Sequence, residues 1–242
     1  MKLAQIVDAL FPEKHICFLC GAYLPYINKC HLCQECYHKL MWNKGHICIK
    51  CGKALFDYDK DCCFDCENEV RFFKKATAPL LYKGLAKKGI RDYKFNGKSY
   101  YYKMWGEILY LHLKKEESHM LNQIDYIVSV PLTYSKKVKR GFNQTELLAQ
   151  YISKKVDIPY IRGALRKVKN TNSQNKLNRL ERSRNLKDAF EARDSGYYHN
   201  KRVLLIDDIF TTGSTVDEAS RMLLDAGALE IYVATIATGR NI

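Results

Sequence analysis

Apolar positions in the second half of the chain follow two alternating patterns. Residues 126–130, YIVSV, form a short β-branched run closed by Pro131, which predicts a buried strand. Residues 203–206, VLLI, and 231–236, IYVATI, read the same way. Between the first two runs, Leu147, Leu148, Tyr151 and Ile152 recur at helical spacing. They follow Asn143, and Glu146 lies three residues after that Asn, the pattern of a capping box. Between the last two runs, Val216, Ala219, Met222, Leu223 and Ala226 share one helical face, and Gly227 suits its C-terminal stop. Strand–helix alternation of this kind predicts an α/β fold, a mostly parallel sheet with flanking helices.

The first half is organised differently. Residues 71–120 are rich in Lys and Tyr, with helical periodicity. The aromatic group from Tyr100 to Trp105, with Tyr110, reads as core rather than as a platform for stacked bases. All ten cysteines fall between Cys17 and Cys66. The expected organisation is a small cysteine domain over residues 1–70 and an α/β domain over residues 71–242.

The cysteines repeat. Cys17-x2-Cys20-Gly21 returns as Cys48-x2-Cys51-Gly52, and Cys33-x2-Cys36 returns as Cys63-x2-Cys66. A disulfide framework would normally staple the whole chain, whereas clustered CxxC pairs point to metal. Each CxxC turn presents two sulfurs to one tetrahedral ion, so four pairs predict two zinc ions. Tandem pairing joins Cys17, Cys20, Cys33 and Cys36 at one site and Cys48, Cys51, Cys63 and Cys66 at the other. Crossed pairing satisfies the same spacing. Cys30 and Cys62 are left over, although Cys62 can stand in for Cys63 with one more intervening residue. His15, His31, His38 and His46 read as surface side chains. With every position filled by sulfur, such a metal is structural, and it supports a small domain whose own core is too small.

Charge adds a partner class. The 242 residues carry a formal net charge of +14, which suits solubility and also an anionic partner such as nucleic acid or a polyphosphate. No apolar run approaches the ~20 residues that span a bilayer. The opening MKLAQIVDALF interrupts its apolar stretch with Gln5 and Asp8, unlike a signal peptide. A cytoplasmic protein without membrane insertion is expected.

The segment VLLIDDIFTTGST, residues 203–215, concentrates the chemistry. Four apolar residues bury a strand, and Asp207 and Asp208 stand at its carboxyl end, where open α/β sheets place ligands. Thr211, Thr212, Gly213, Ser214 and Thr215 then form a hydroxyl-rich turn that leads into a helix. Backbone N–H groups at a helix N-terminus attract phosphate. The two carboxylates can accept hydrogen bonds from the vicinal hydroxyls of a ribose carrying that phosphate, or face a Mg2+ bridge. No GxxxxGK[ST] is present, so a P-loop nucleoside triphosphatase is not supported.

This segment resembles the phosphoribosyl pyrophosphate (PRPP) loop of type I phosphoribosyltransferases. VPLTYSKKVKRGFNQTELLA, residues 130–149, is similar to the VPL…RGFNQ segment of ComF-family competence proteins. Thr171, Gln174, Leu177, Arg179, Arg182, Asn185 and Phe190 resemble that family's next block. The four CxxC pairs match its double zinc ribbon, and Tyr93-Lys94-Phe95-Asn96-Gly97 is like its LKYxG segment. Departures are Lys94-Phe95 where Lys-Tyr is usual, and the extra Cys30 and Cys62. The resemblance covers nearly the whole chain. It implies a type I phosphoribosyltransferase fold, PRPP with Mg2+ as ligand, and a role in natural transformation, where imported single-stranded DNA is handled.

In type I enzymes a loop after an early strand grips pyrophosphate. By position that is Val130, Pro131, Leu132 and Thr133. Lys136, Lys137, Lys139 and Arg140 follow and can neutralise a leaving pyrophosphate, or form a solvated basic turn. Residues 162–187, including Arg179 and Arg182, form a basic segment able to close over PRPP or to follow a DNA backbone, and Lys139 and Arg140 are read with those two arginines as basic lid or DNA contacts. Two functions fit these features. One is Mg-dependent phosphoribosyl transfer. The other is a non-catalytic module that keeps the ligand loop and works through single-stranded DNA, a competence helicase or another transformation protein. No general base or acceptor-recognition motif stands out, so the catalytic residues are unassigned.

Overall fold

The computed structural model describes residues 15–26, 28–169, 186–193 and 196–239. In the cysteine region two short helices, α1 (Gln34–Lys39) and α2 (Phe64–Asn68), each begin at a CxxC turn, with Cys33 and Cys63 as their N-caps. Two very short strands follow, β1 (Lys75–Thr77) and β2 (Leu80–Leu81), then helices α3 (Gly84–Phe95), α4 (Tyr102–Glu116) and α5 (Ser118–Leu121). The remainder runs β3 (Tyr126–Ser129), α6 (Tyr134–Arg140), α7 (Gln144–Val156), β4 (Leu165–Lys167), β5 (Phe190–Ala192), β6 (Arg202–Phe210), α8 (Ser214–Asp225) and β7 (Glu230–Thr238).

The main sheet is wholly parallel. Its order is β1-β7-β6-β3, with β2 also pairing β7. The long strands β6 and β7 stay in register from Arg202↔Glu230 to Phe210↔Thr238. Parallel strands covered on both faces read as continuous apolar runs, as 203–206 of β6 and 231–234 of β7 do. β4 and β5 make a separate antiparallel pair.

Alternate side chains point to opposite faces of a strand, and this divides the core in two. Ile127, Leu204, Ile206 and Ala234 join α4, α7 and the first cysteine unit through Cys17, Leu24, Leu32 and Leu40. Val128, Val203, Leu205 and Val233 join α8 and the second unit through Cys48, Cys51 and Cys63. The two halves of the repeat thus pack on opposite faces of one sheet. Trp105 and Tyr101 are buried in the first cluster, while Tyr100 is exposed, so the aromatic segment is mostly core. Tyr101 stacks on Phe18 at 5.5 Å between ring centroids, which ties α4 to the first cysteine unit.

Local signals fare unevenly. Asn143 caps α7 by accepting from Thr145 N–H at 3.2 Å. Glu146 does not complete the capping box. It pairs with Arg162 at 2.7 Å and Lys137 at 3.5 Å, because a charge-assisted contact outcompetes a neutral backbone donor. Among the described residues, no helix is long and apolar enough to cross a membrane.

Candidate functional site

The cysteines form two groups. Cys17, Cys20, Cys33 and Cys36 lie together, as do Cys48, Cys51, Cys63 and Cys66, with ligand atoms within 4.8 Å of one another in each. This is the tandem arrangement; the crossed one is not formed. Cys30 and Cys62 stand outside both groups. Backbone N–H groups support the sulfurs: Cys36 N–H donates to Cys33 Sγ and Cys51 N–H to Cys48 Sγ, each at 3.4 Å. Gly52, at φ +69°, turns the chain so closely against β1 that a Cβ would lie 2.8 Å from the Ala76 carbonyl oxygen. Hydrogen bonds from Cys51, Cys63 and Cys66 hold Cys48 well below the ordinary thiol range, and hydrogen bonding with Cys48 drives Cys51 and Cys66 well above it. Four such sulfurs cannot all ionise without a cation among them. The donor set therefore fits zinc, closed and structural. Elemental analysis is expected to give about two zinc per chain, and Cys20→Ser or Cys51→Ser to lose one each. A folded protein without zinc would contradict this assignment.

The second feature lies at the carboxyl end of β6. Asp207 and Asp208 sit inside the strand, because pairing with β7 continues past them to Phe210. Both are buried, at 8% and 5% exposure. Their surroundings differ. Asp208 Oδ1 meets Lys94 Nζ at 2.8 Å, and its Oδ2 accepts from Gln144 Nε2 at 2.7 Å. Arg140 in turn donates to Gln144 Oε1, and its guanidinium lies over the Phe95 ring, 5.0 Å from the centroid. Among the described residues, Asp207 Oδ1 accepts only the neighbouring Asp208 N–H, at 2.8 Å. Burial, and then the Asp208 charge, push the Asp207 carboxyl up to about 7.

The turn after β6 is hydroxyl-lined. Thr212 Oγ1 and Ser214 Oγ lie 2.9 Å apart, and Thr211 is exposed. Gly213 is the N-cap of α8 with φ +85°, and no side chain caps that end. Backbone N–H groups in such a first turn suit an anion. The segment after β3 lies alongside. Val130 N–H donates to the Ile206 carbonyl at 3.0 Å, and the Val130 carbonyl accepts from Thr145 Oγ1 at 2.5 Å. Thr133 is buried as the N-cap of α6, and Pro131 and Leu132 are half-buried.

The basic residues separate. Lys139 is exposed on α6. Arg140, expected as a lid or DNA contact, is drawn into the network around Asp208, since a buried carboxylate recruits nearby donors. Arg179 and Arg182 lie outside the described residues. Lys167, at the end of β4, feels the charges of Lys136 and Asp207. Burial, and then Lys136, lower its ammonium to about 8. Lys94 was legible only as part of a family-like segment, and nothing near it in sequence signals that it reaches Asp208.

Residues 118–241 match the phosphoribosyl transferase domain family, and residues 6–73 match the double zinc ribbon domain. Competence protein F of Haemophilus influenzae is 31% identical over 223 residues, spanning 91% of this chain and 96% of that protein. DNA utilization protein YhgH of Escherichia coli strain K12 is 28% identical over 219 residues, covering 90% and 94%. Competence protein ComFC of Bacillus subtilis is 27% identical over 207 residues, covering 81% and 79%. With a double zinc ribbon set ahead of a type I phosphoribosyltransferase fold, and with full-length similarity to competence protein F, this chain belongs to the ComF family of competence proteins.

Proposed function

We propose that this protein binds PRPP with Mg2+ at the carboxyl end of β6, transfers its phosphoribosyl group, and serves DNA handling during transformation in the cytoplasm. The observation that carries the reading is a buried carboxylate pair followed at once by a hydroxyl-lined turn on an uncapped helix N-terminus. The 5-phosphate would sit on the N–H groups and hydroxyls of residues 211–215. Asp207, the carboxylate with the fewest protein partners, would take the ribose hydroxyls or the metal. The segment 130–133, with Lys136 and Lys167 nearby, would face pyrophosphate. The competence and DNA-utilization roles named for its relatives support a place in DNA uptake.

One observation favours the second reading, a binding module without turnover that acts through single-stranded DNA or a partner protein. Both oxygens of Asp208 are already engaged, by Lys94 and Gln144, which leaves one carboxylate where the transfer reaction would use two. Pyrophosphate release from PRPP with a panel of bases and amines separates the two readings.

Calorimetric titration of PRPP with Mg2+ tests the binding itself, and pH sharpens it. Below about pH 7 Asp207 gains a proton and can no longer accept as a carboxylate. Above about pH 8 Lys167 loses its charge. Affinity is therefore expected to peak between these values and fall on either side. Ribose 5-phosphate should bind more weakly, and free phosphate more weakly still. A folded, zinc-replete protein that ignores millimolar PRPP would refute the reading.

A further inference from the structure

The second zinc unit is built into the wall behind the phosphate turn. Arg71, just after that unit, has a side chain only 3% exposed. Its Nη1 meets Asp217 Oδ2 at 2.5 Å, and the Phe72 N–H donates to Asp217 Oδ1 at 3.1 Å. Asp217 lies in the first turn of α8, the helix whose N-terminus forms the candidate phosphate site. The same guanidinium supports the turn directly, since a Cβ on Gly213 would lie 3.2 Å from Arg71 Nη1. Against the cost of burial, the charge of Asp217 and then the Cys66 side chain favour the charged guanidinium. Among the described residues, Nε and Nη2 are buried with no hydrogen-bond partner, although Glu69 comes within 3.4 Å of Nη2 as an ion pair. A second contact runs beside the first. Lys53, paired with Asp65 at 2.9 Å, lies over the ring of Phe210, which backs Gly213.

A buried guanidinium with an unused Nε–H close to a cysteine unit has a physical explanation. A protonated thiol is a poor acceptor, whereas a zinc-bound thiolate accepts charge-assisted hydrogen bonds. Donors around a metal site orient its ligands in return.

We infer that Arg71 is a positioning residue that couples the second four-cysteine site to the phosphate turn, so that metal held by Cys66 and ligand held by residues 211–215 stabilise one another. The first four-cysteine site packs on the opposite face of the sheet and has no part in the coupling. The ligand half of this statement rests on the proposed PRPP binding; the coupling to the turn does not. Coupling between sites is reciprocal.

Hydrogen exchange of the amides of residues 211–217 in the full chain tests the link without any ligand. Cys66→Ser, which gives up the second zinc, and Arg71→Met, which should keep both, are each expected to speed exchange there. The increase should be about 5- to 150-fold, the usual range of coupling between sites. Cys20→Ser should leave these amides unchanged. Because Arg71 acts through Cys66, the double variant should be no faster than the faster single one. Arg71→Lys retains a charge for Asp217 but not the forked reach to sulfur, and should fall between wild type and Arg71→Met. It also serves if Arg71→Met does not fold. Unchanged exchange in Cys66→Ser, or effects of the two substitutions that simply multiply, would overturn the coupling. In a second arm PRPP is added. Slower zinc loss from the second site alone is expected, and a wild type that binds no PRPP would sink the functional reading while the exchange result still decides the coupling.

Discussion

Asp207→Asn is expected to raise thermal stability at neutral pH while removing most of the affinity for PRPP. The carboxyl is buried, and burial followed by the Asp208 charge lifts it to about 7. An unfolded chain titrates Asp near 3.9. Between these values the folded protein binds more protons than the unfolded one, so stability declines as pH rises. The contribution is fully present below about pH 4 and is lost as pH passes about 7. Asn carries no charge to desolvate, and its Oδ1 can still accept the Asp208 N–H. A gain on the order of 1–2 kcal/mol at pH 8 is expected, discounted from the shift because the pair is coupled. At about 2–4 °C per kcal/mol for a chain this size, the melting temperature should rise by about 2–8 °C, and the slope of stability between pH 4 and 7 should flatten. Charge-assisted hydrogen bonds are worth roughly 1.5–3 kcal/mol, so PRPP should bind about 10- to 150-fold more weakly. Asp208→Asn should weaken binding too, but with the opposite effect on stability, because it leaves Lys94 without its ion-pair partner. Matched pH-dependent melting curves and titrations check both. Equal stability effects from the two substitutions would show that their environments are not different in the way described.

Gly213→Val should be the most damaging single change in the turn. The residue sits at φ +85°, a left-handed conformation that costs a side-chain-bearing residue roughly 1–2 kcal/mol. A Cβ there would lie 2.8 Å from Phe210 Cζ and 3.2 Å from Arg71 Nη1. Neither neighbour can yield easily. Phe210 is buried at 2% exposure and packs edge-on against Phe73 with ring centroids 5.8 Å apart, and Arg71 is held by Asp217. Overpacking of this kind costs typically about 1–3 kcal/mol. The sum, about 2–5 kcal/mol of destabilisation, is measurable by urea unfolding, with loss of PRPP binding alongside. The missing Cβ would point into the packing beneath the turn, towards Phe210 and Arg71. Gly213→Ala already carries the offending atom, so an alanine variant as stable as wild type would contradict this account.

How much of this was legible beforehand depends on the range over which each feature is encoded. The three apolar runs at 126–130, 203–206 and 231–236 announced the centre of the sheet, because a strand covered on both faces must be apolar throughout. The CxxC repeats announced two four-cysteine sites, since a metal knuckle lies within four residues. The order DD, TTGST, helix announced the turn. β1 and β2 were not legible. Two or three residues show no period, and these strands exist only because β7 offers an edge to pair with. The full extent of β6 is hidden in the sequence for the same reason: pairing with β7 carries the strand through Asp207 and Asp208 to Phe210.

The sequence by itself determined the α/β class, the clustering of the cysteines and the location of the hydroxyl-lined turn, since each is written in neighbouring residues whose spacing matches a local geometry. Only the tertiary structure decided which carboxylate keeps fewer partners, which basic residue faces it and what stands behind the turn. Lys94 on α3, Gln144 on α7 and Asp208 on β6 meet only once the helices cover the sheet. Arg71, just after the second cysteine unit, and Asp217 on α8 likewise meet only in the folded chain. Such contacts are selected by burial. A charge removed from water must find an opposite charge or a donor close at hand, and the chain supplies it from wherever folding has brought one, with no periodicity to reveal it in advance.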